Sequence, residues 1–204
     1  MVKRHSTPST TRDRLVGAMS AALQRRGLHG VGLNELLADA KAPKGVLYHH
    51  FPGGKTELAV AAIEATVQRL TLALDKLIEA QGQPLATLAA WLTAAQQRLE
   101  TSSFERGCPL ATVALETTTE DASIRSALAS AFGQLRDKLA EMFSAHGVAS
   151  ARAQGLAALV VAAYEGALMQ ARVAGHAGPL RDVAQALLGL LENELQTPAA
   201  RPHG

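Results

Sequence analysis

The stretch AKAPKGVLYHHFPGGK, from Ala40 to Lys55, constrains this chain more than any other. A short helix, LNELLADA from Leu33 to Ala40, runs into it, and Lys41 and Ala42 make a tight turn. Pro43 fits the first position of a second helix, where its missing N–H is no loss and its fixed φ suits the start. Leu47 and Phe51 are four residues apart and so share one buried face of that helix. Lys44, Gly45, Tyr48 and His49 then fall on the side those two do not use. Two short helices joined by a tight turn make the second half of a helix-turn-helix. Cationic and polar groups beside a backbone-exposing glycine suit a helix that lies in a DNA major groove.

The flanking sequence supplies the rest of a small bundle. Thr10 or Thr11 can cap a first helix, and Asp13 favours its positive end. Leu15, Ala18, Met19, Ala22 and Leu23 form a one-faced apolar stripe, and Gly27 ends the helix. His29 to Gly32 connects to the second helix, whose buried side is Leu36, Leu37 and Ala40. Beyond Lys55 the same helical period continues, with breaks at 81–84, 102–108, 117–120, Gly147 and 175–179. It predicts helices at about 55–80, 84–101, 109–117, 121–146, 150–174 and 180–195, with no strand. The fold class expected is all-α: an N-terminal three-helix helix-turn-helix DNA-binding domain, then a larger helical ligand-binding and dimerisation domain. The expected division is a flexible arm at 1–9, the DNA-binding domain at 10–55, the effector and dimerisation domain at 56–196 and a loose tail at 197–204.

Charge and composition agree with that division. Residues 1–55 hold nine Lys/Arg against three acids, a balance of +6, whereas 56–204 hold eleven bases and fifteen acids, a balance of −4. A basic head on an acidic body is the footprint of a nucleic-acid reader with another task elsewhere. Small N-terminal segments are also often basic without binding DNA, so charge alone leaves the matter even. With 48% hydrophobic but only 3% aromatic residues, the core must be built from Ala and Leu, which favours helices. The uncharged run Leu156–Tyr164 is too short to span a bilayer, and no apolar signal core follows the polar start. A single cysteine, Cys108, allows no internal disulfide. A cytoplasmic location, away from any membrane, is expected.

The set Lys44-Gly45, Leu47-Tyr48, His50-Phe51 and Lys55 resembles the signature of the TetR family of bacterial transcriptional repressors. The longer APKGVLYHHFPGGK, together with GLHGVGLNELL before it and GCPLATVALE (Gly107 to Glu116) after it, is most similar to the LmrA/YxaF-like branch. The resemblance implies roles for Lys44, Gly45, Val46, Tyr48, His49 and Lys55 on DNA. Lys44 is the candidate for a base-edge contact to guanine. Gly45 lets the backbone come close, and Tyr48, His49 and Lys55 resemble phosphate clamps. Lys55 at a helix N-terminus opposes the helix dipole, which makes sense where a phosphate sits too. His50 is expected to pack inside the bundle, and the Arg4 region to add sequence-independent attraction. Val31 and Gly32 stand where many relatives carry a Ser or Thr cap; Asn34 is the candidate to replace its contact.

The body concentrates the unusual large side chains. Trp91, Phe104, Phe132, Met142, Phe143, Tyr164 and Met169, with Cys108, are candidates to line an effector cavity, although each is individually also a natural core residue. By resemblance, the ligand is a small apolar or aromatic effector. Cys108 has no base in its local segment and is expected to be a buried wall rather than a nucleophile. Glu116 is expected to pair with Arg125 or to meet a ligand. The histidines show no HxxxH spacing, and no metal or cofactor is expected. Residues 150–195, rich in Ala, Leu, Val and Gly, could form half of a homodimer interface or an internal hairpin. Together these features lead to a repressor that binds a pseudo-palindromic double-stranded DNA operator as a dimer and is released by its effector. The competing readings are a DNA-free binding protein with a vestigial head and, with no nucleophile–base or paired-carboxylate motif to support it, an enzyme.

Overall fold

The computed structural model describes residues 10–196; the Arg4 arm and the 197–204 tail fall outside them. The described residues form nine helices and no strand: α1 (Thr11–Arg26), α2 (Leu33–Asp39), α3 (Lys44–His50), α4 (Gly54–Gln81), α5 (Pro84–Thr101), α6 (Pro109–Ala114), α7 (Ala122–Ala145), α8 (Ser150–Ala174) and α9 (Gly178–Gln196). The all-α reading is met, with small shifts at the ends.

Thr10 caps α1 in a reciprocal box. Its hydroxyl accepts from the Asp13 N–H at 3.1 Å, and the Asp13 carboxylate accepts from the Thr10 N–H at 3.0 Å. Pro43 is the N-cap of α3 rather than its first helical residue, with φ −66° and ψ 151°. Its extended ψ places the carbonyl to accept from the Val46 N–H at 3.0 Å. Helix α6 stops at Ala114, short of the expected 117. The Thr117 hydroxyl donates to the Ala114 carbonyl at 2.9 Å and closes the helix there.

Helix α4 is the spine. It packs on α1 at its start and on α5 and α7 further along, while α7, α8 and α9 pack in succession. Leu58, Ala59, Ala62 and Ile63 of α4 join Leu15, Met19 and Leu23 of α1 in a core that continues without a break to Trp91, Leu110 and Phe143. The head is therefore seated on the body through shared apolar packing. Taken as a whole helix, α8 is long and apolar enough to cross a bilayer by length and composition, which the shorter run Leu156–Tyr164 did not suggest. Its inner face, from Ala153 and Leu156 to Leu168 and Ala171, is core.

Candidate DNA-reading face, cavities and head–body joint

In α3 the four-residue spacing works out as drawn. Leu47 and Phe51 are 0% and 1% exposed, while Lys44, Gly45, Tyr48 and His49 face solvent. Val46 and His50 are half-buried at the flanks. The turn before α3 places Lys41 at φ 50°, and the Ala42 N–H donates back to the Leu37 carbonyl at 3.0 Å. After α3, the Gly54 N–H donates to the Phe51 carbonyl at 2.8 Å with φ +67°, a conformation open to glycine. A Cβ there would lie 3.4 Å from the Tyr48 ring, an ordinary contact, so it is the backbone conformation that calls for glycine.

Much of the head's positive charge holds the head together. The Arg12 guanidinium lies 5.2 Å from the Phe51 ring centroid. Arg14 donates to the Ala40 carbonyl at 3.1 Å, and Arg26 pairs with Glu35, so α1 braces α2 at both ends. Lys55 is half-buried; desolvation lowers its pKa, and the Glu116 carboxylate offsets this. At the start of α4 the Glu57 carboxylate already accepts from the Gly53 N–H at 2.7 Å. Asn34 is exposed, and no side chain caps α2 at Gly32.

Two cavities open in the body, separated by Cys108 and Leu168. One, of about 750 Å³, lies between α4, α5, the 102–108 segment and α8, with Cys108 and Tyr164 in its wall. The other, of about 770 Å³, lies on the far side against α1, α6 and α8, and Phe104, Cys108 and Met169 line it. Trp91, Phe132, Met142 and Phe143 line neither. Trp91, Met142 and Phe143 are buried core, and Phe132 packs against that core. Trp91 nonetheless reaches the first cavity indirectly, stacked on Tyr164 at 4.1 Å between centroids. The expected aromatic group thus divides into a few wall residues and a supporting layer. The reason is volume: in a chain with so few aromatics, the largest side chains fill the helix-crossing points.

Glu165 sits in the second cavity's wall facing the Cys108 thiol, and both of its carboxyl oxygens are closed to solvent with no hydrogen-bond partner among the described residues. Burial raises its pKa from 4.5 to about 7. Burial, aided by Glu165, also pushes the Cys108 thiol well above its ordinary value, so Cys108 is a poor thiolate. Tyr164 is likewise raised by burial. For Glu165 the folded pKa exceeds the unfolded one. Its contribution to stability is full below pH 4.5 and is lost as pH rises through about 7. Glu165→Gln should therefore gain stability over wild type at pH 8, with the gap closing toward pH 4.5. Urea unfolding of both proteins across that range checks this; a gap independent of pH would rule out a buried ionisation.

The joint between head and body escaped sequence reading. Glu116, at the end of α6, does not pair with Arg125. Its carboxylate accepts from the Leu28 N–H and, at 3.1 Å, from the His29 N–H, and it lies 3.5 Å from the His29 ring. Leu28 and Glu116 are 88 residues apart, so no periodicity could join them. Close by, the Gly107 N–H donates to the Gln24 carbonyl at 3.1 Å, and Arg172 of α8 donates to the Arg25 carbonyl at 2.8 Å. The body thus satisfies carbonyls at the end of α1 and amides of the α1–α2 connector, groups a helix end leaves without partners.

Helices α8 and α9 leave apolar residues in solvent. Leu159 is 45% exposed and Leu190 59%, with Ala158, Ala162, Ala186 and Gly189 exposed around them.

Comparison with known proteins agrees with this geometry. Residues 17–62 match the family model for bacterial regulatory proteins of the tetR family, and residues 84–186 match that for the LmrA/YxaF-like transcriptional regulator C-terminal domain. The chain is similar to an uncharacterized HTH-type transcriptional regulator of Mycobacterium tuberculosis, 33% identical over 90% of this chain and 95% of that one. Among solved structures it resembles regulatory protein TetR from Rhodobacter sphaeroides (TM-score 0.79, 26% identity, 89% and 98% of the two chains covered). It shares its fold with a cysteine mutant of the TetR family regulator CifR complexed with 26bp double-strand operator DNA (TM-score 0.70, 20% identity, 95% and 100% covered). With a helix-turn-helix head that presents α3 to solvent and a C-terminal domain match that spans half of the chain, the chain belongs to the TetR family of DNA-binding transcriptional regulators, with a body of the LmrA/YxaF-like kind.

Proposed function

We propose that this regulator is a cytoplasmic repressor that occupies a pseudo-palindromic operator as a homodimer and leaves it when a small effector enters the body. The observation that carries the reading is the outward face of α3, where Lys44 and Tyr48 stand clear of a core that takes Leu47 and Phe51. Residues 10–55 act as the reading head and 56–196 as the effector and dimerisation body. Lys44 and Gly45 approach base edges with Val46 beside them, and Tyr48, His49 and Lys55 hold phosphates. The exposed apolar residues of α8 and α9 form the face that a second copy covers, within residues 150–195. A two-fold protein places its reader helices about 34–36 Å apart, or a multiple of that, to match a two-fold site. An effector in the cavity between α4, α5 and α8 touches Cys108 and Tyr164, backed by Trp91, and one in the cavity against α1 touches Phe104, Cys108 and Met169. Release follows when the effector binds better to a state whose heads are wrongly spaced, and only by that difference in affinity.

Duplexes selected by the purified protein from a random pool provide the assay. Lys44→Ala should weaken binding to the selected duplex by ~1–3 kcal/mol and relax preference at one position. Lys55→Ala should weaken all sequences alike. Wild-type affinity in both variants, measured by fluorescence anisotropy, would show that α3 is not the reader.

A further inference from the structure

The two body cavities differ in charge, and that difference bears on what enters. The cavity against α1 mixes Arg25, Arg26 and Arg172 with Glu105, Glu116 and Glu165. The cavity between α4, α5 and α8 is lined by three arginines, Arg69, Arg98 and Arg106, and by no acid. The rest of its wall is apolar or neutral, including Leu70, Ala95, Leu99, Pro109 and Leu168. None of the three arginines has a carboxylate within ion-pair distance among the described residues. Arg69 donates only to the Thr66 hydroxyl, at 3.0 Å, and Arg98 faces the hydroxyl of Tyr164. The acids nearest Arg98 and Arg106 in sequence are turned elsewhere. Glu100 accepts from the Gln96 amide at 2.8 Å, and Glu105 lines the other cavity. Glu165 lies across Cys108, in the wall of the other cavity.

Guanidinium groups gathered on an apolar cavity without a counter-charge are set to receive one from outside. We propose that the cavity between α4, α5 and α8 is an anion-selective site that takes an amphiphile with an apolar body and one anionic head. The inference deepens the effector reading above and rests on it: it names the ligand's charge class. The volume, about 750 Å³, is that of a drug-sized ligand site. The apolar part lies along Leu70, Leu99 and Leu168, and the head takes bidentate hydrogen bonds from Arg69 or Arg98. Gln24 and Gly107 also line this cavity, and the bond between them is part of the head–body joint. Arg106 is the residue before Gly107, so an anion drawn to Arg106 acts on the segment that holds the end of α1.

Two dyes that share a ring system but differ in charge test this without DNA: anilinonaphthalene sulfonate and the uncharged phenylnaphthylamine. On the full-length protein at low salt, the sulfonate should bind about tenfold or more tightly than the neutral dye, a difference of about 1.4 kcal/mol. Arg69→Gln and Arg98→Gln, singly and together, should remove that preference and leave phenylnaphthylamine within about twofold of wild type, which also reports an intact fold. Displacement of the sulfonate by octanoate rather than octyl phosphate marks a carboxylate head, and the reverse a phosphate head. Displacement by neither overturns the proposal. Equal affinity of the two dyes, or a preference that survives both substitutions, overturns anion selectivity and leaves the effector cavity standing. If neither dye binds, both are overturned.

Discussion

Phe51→Ala should cost about 3–5 kcal/mol of folding stability, the usual range for removing a large aromatic from a packed core. Phe51 is 1% exposed and closes α3, its N–H donating to the Leu47 carbonyl at 2.8 Å while its own carbonyl accepts from Gly54. Its ring also carries the Arg12 guanidinium, so truncation removes a tie between α1 and α3 as well as buried area. Because α3 is only Lys44–His50, it has no stability of its own and depends on this anchor. Operator affinity should fall with stability, whereas Phe51→Leu, which keeps most of the volume, should lose less than about 1.5 kcal/mol. Equilibrium urea unfolding of the two variants decides it. A loss from the alanine variant below that of the leucine variant would mean that Phe51 is not the anchor of α3.

Gly27→Ala should be nearly as severe, for a different reason. Gly27 has φ +69° and ψ −172°, a region almost closed to residues with a Cβ. A Cβ there would also lie 1.8 Å from a Glu116 carboxylate oxygen. The chain must give up either the backbone conformation or the carboxylate's bonds to the Leu28 and His29 amides. Backbone strain of this kind costs ~1–3 kcal/mol, and hydrogen bonds to a charged group ~1.5–3 kcal/mol. We expect a loss of roughly 2–4 kcal/mol, since the two costs overlap. A double-mutant cycle with Glu116→Ala separates them. Once the carboxylate is gone, Gly27→Ala should cost at least about 1 kcal/mol less than in wild type. Strict additivity would show that Glu116 and Gly27 do not meet.

Local rules determined the head. Capping at Thr10, the stop at Gly27 and the inward pair Leu47 and Phe51 all follow from contacts within four residues, which the sequence displays directly. Helix boundaries in the body were legible for the same reason, apart from the early end of α6, where a side-chain hydroxyl took the last carbonyl. Charge counting was less informative. It left DNA binding an even matter, and Arg12, Arg14 and Arg26 are engaged with Phe51, Ala40 and Glu35.

By itself, then, the sequence determined which face of each helix turns inward, because that depends on spacing along one helix. Tertiary structure alone decided which faces meet. It sent Glu116 to amides 88 residues away and Arg172 to a carbonyl 147 residues away. It also placed Trp91 and Phe143 in the core, and set Arg69, Arg98 and Arg106 around one cavity. Such partnerships arise from the way helices cross, and crossings are settled by the packing of the whole chain rather than by any stretch of it.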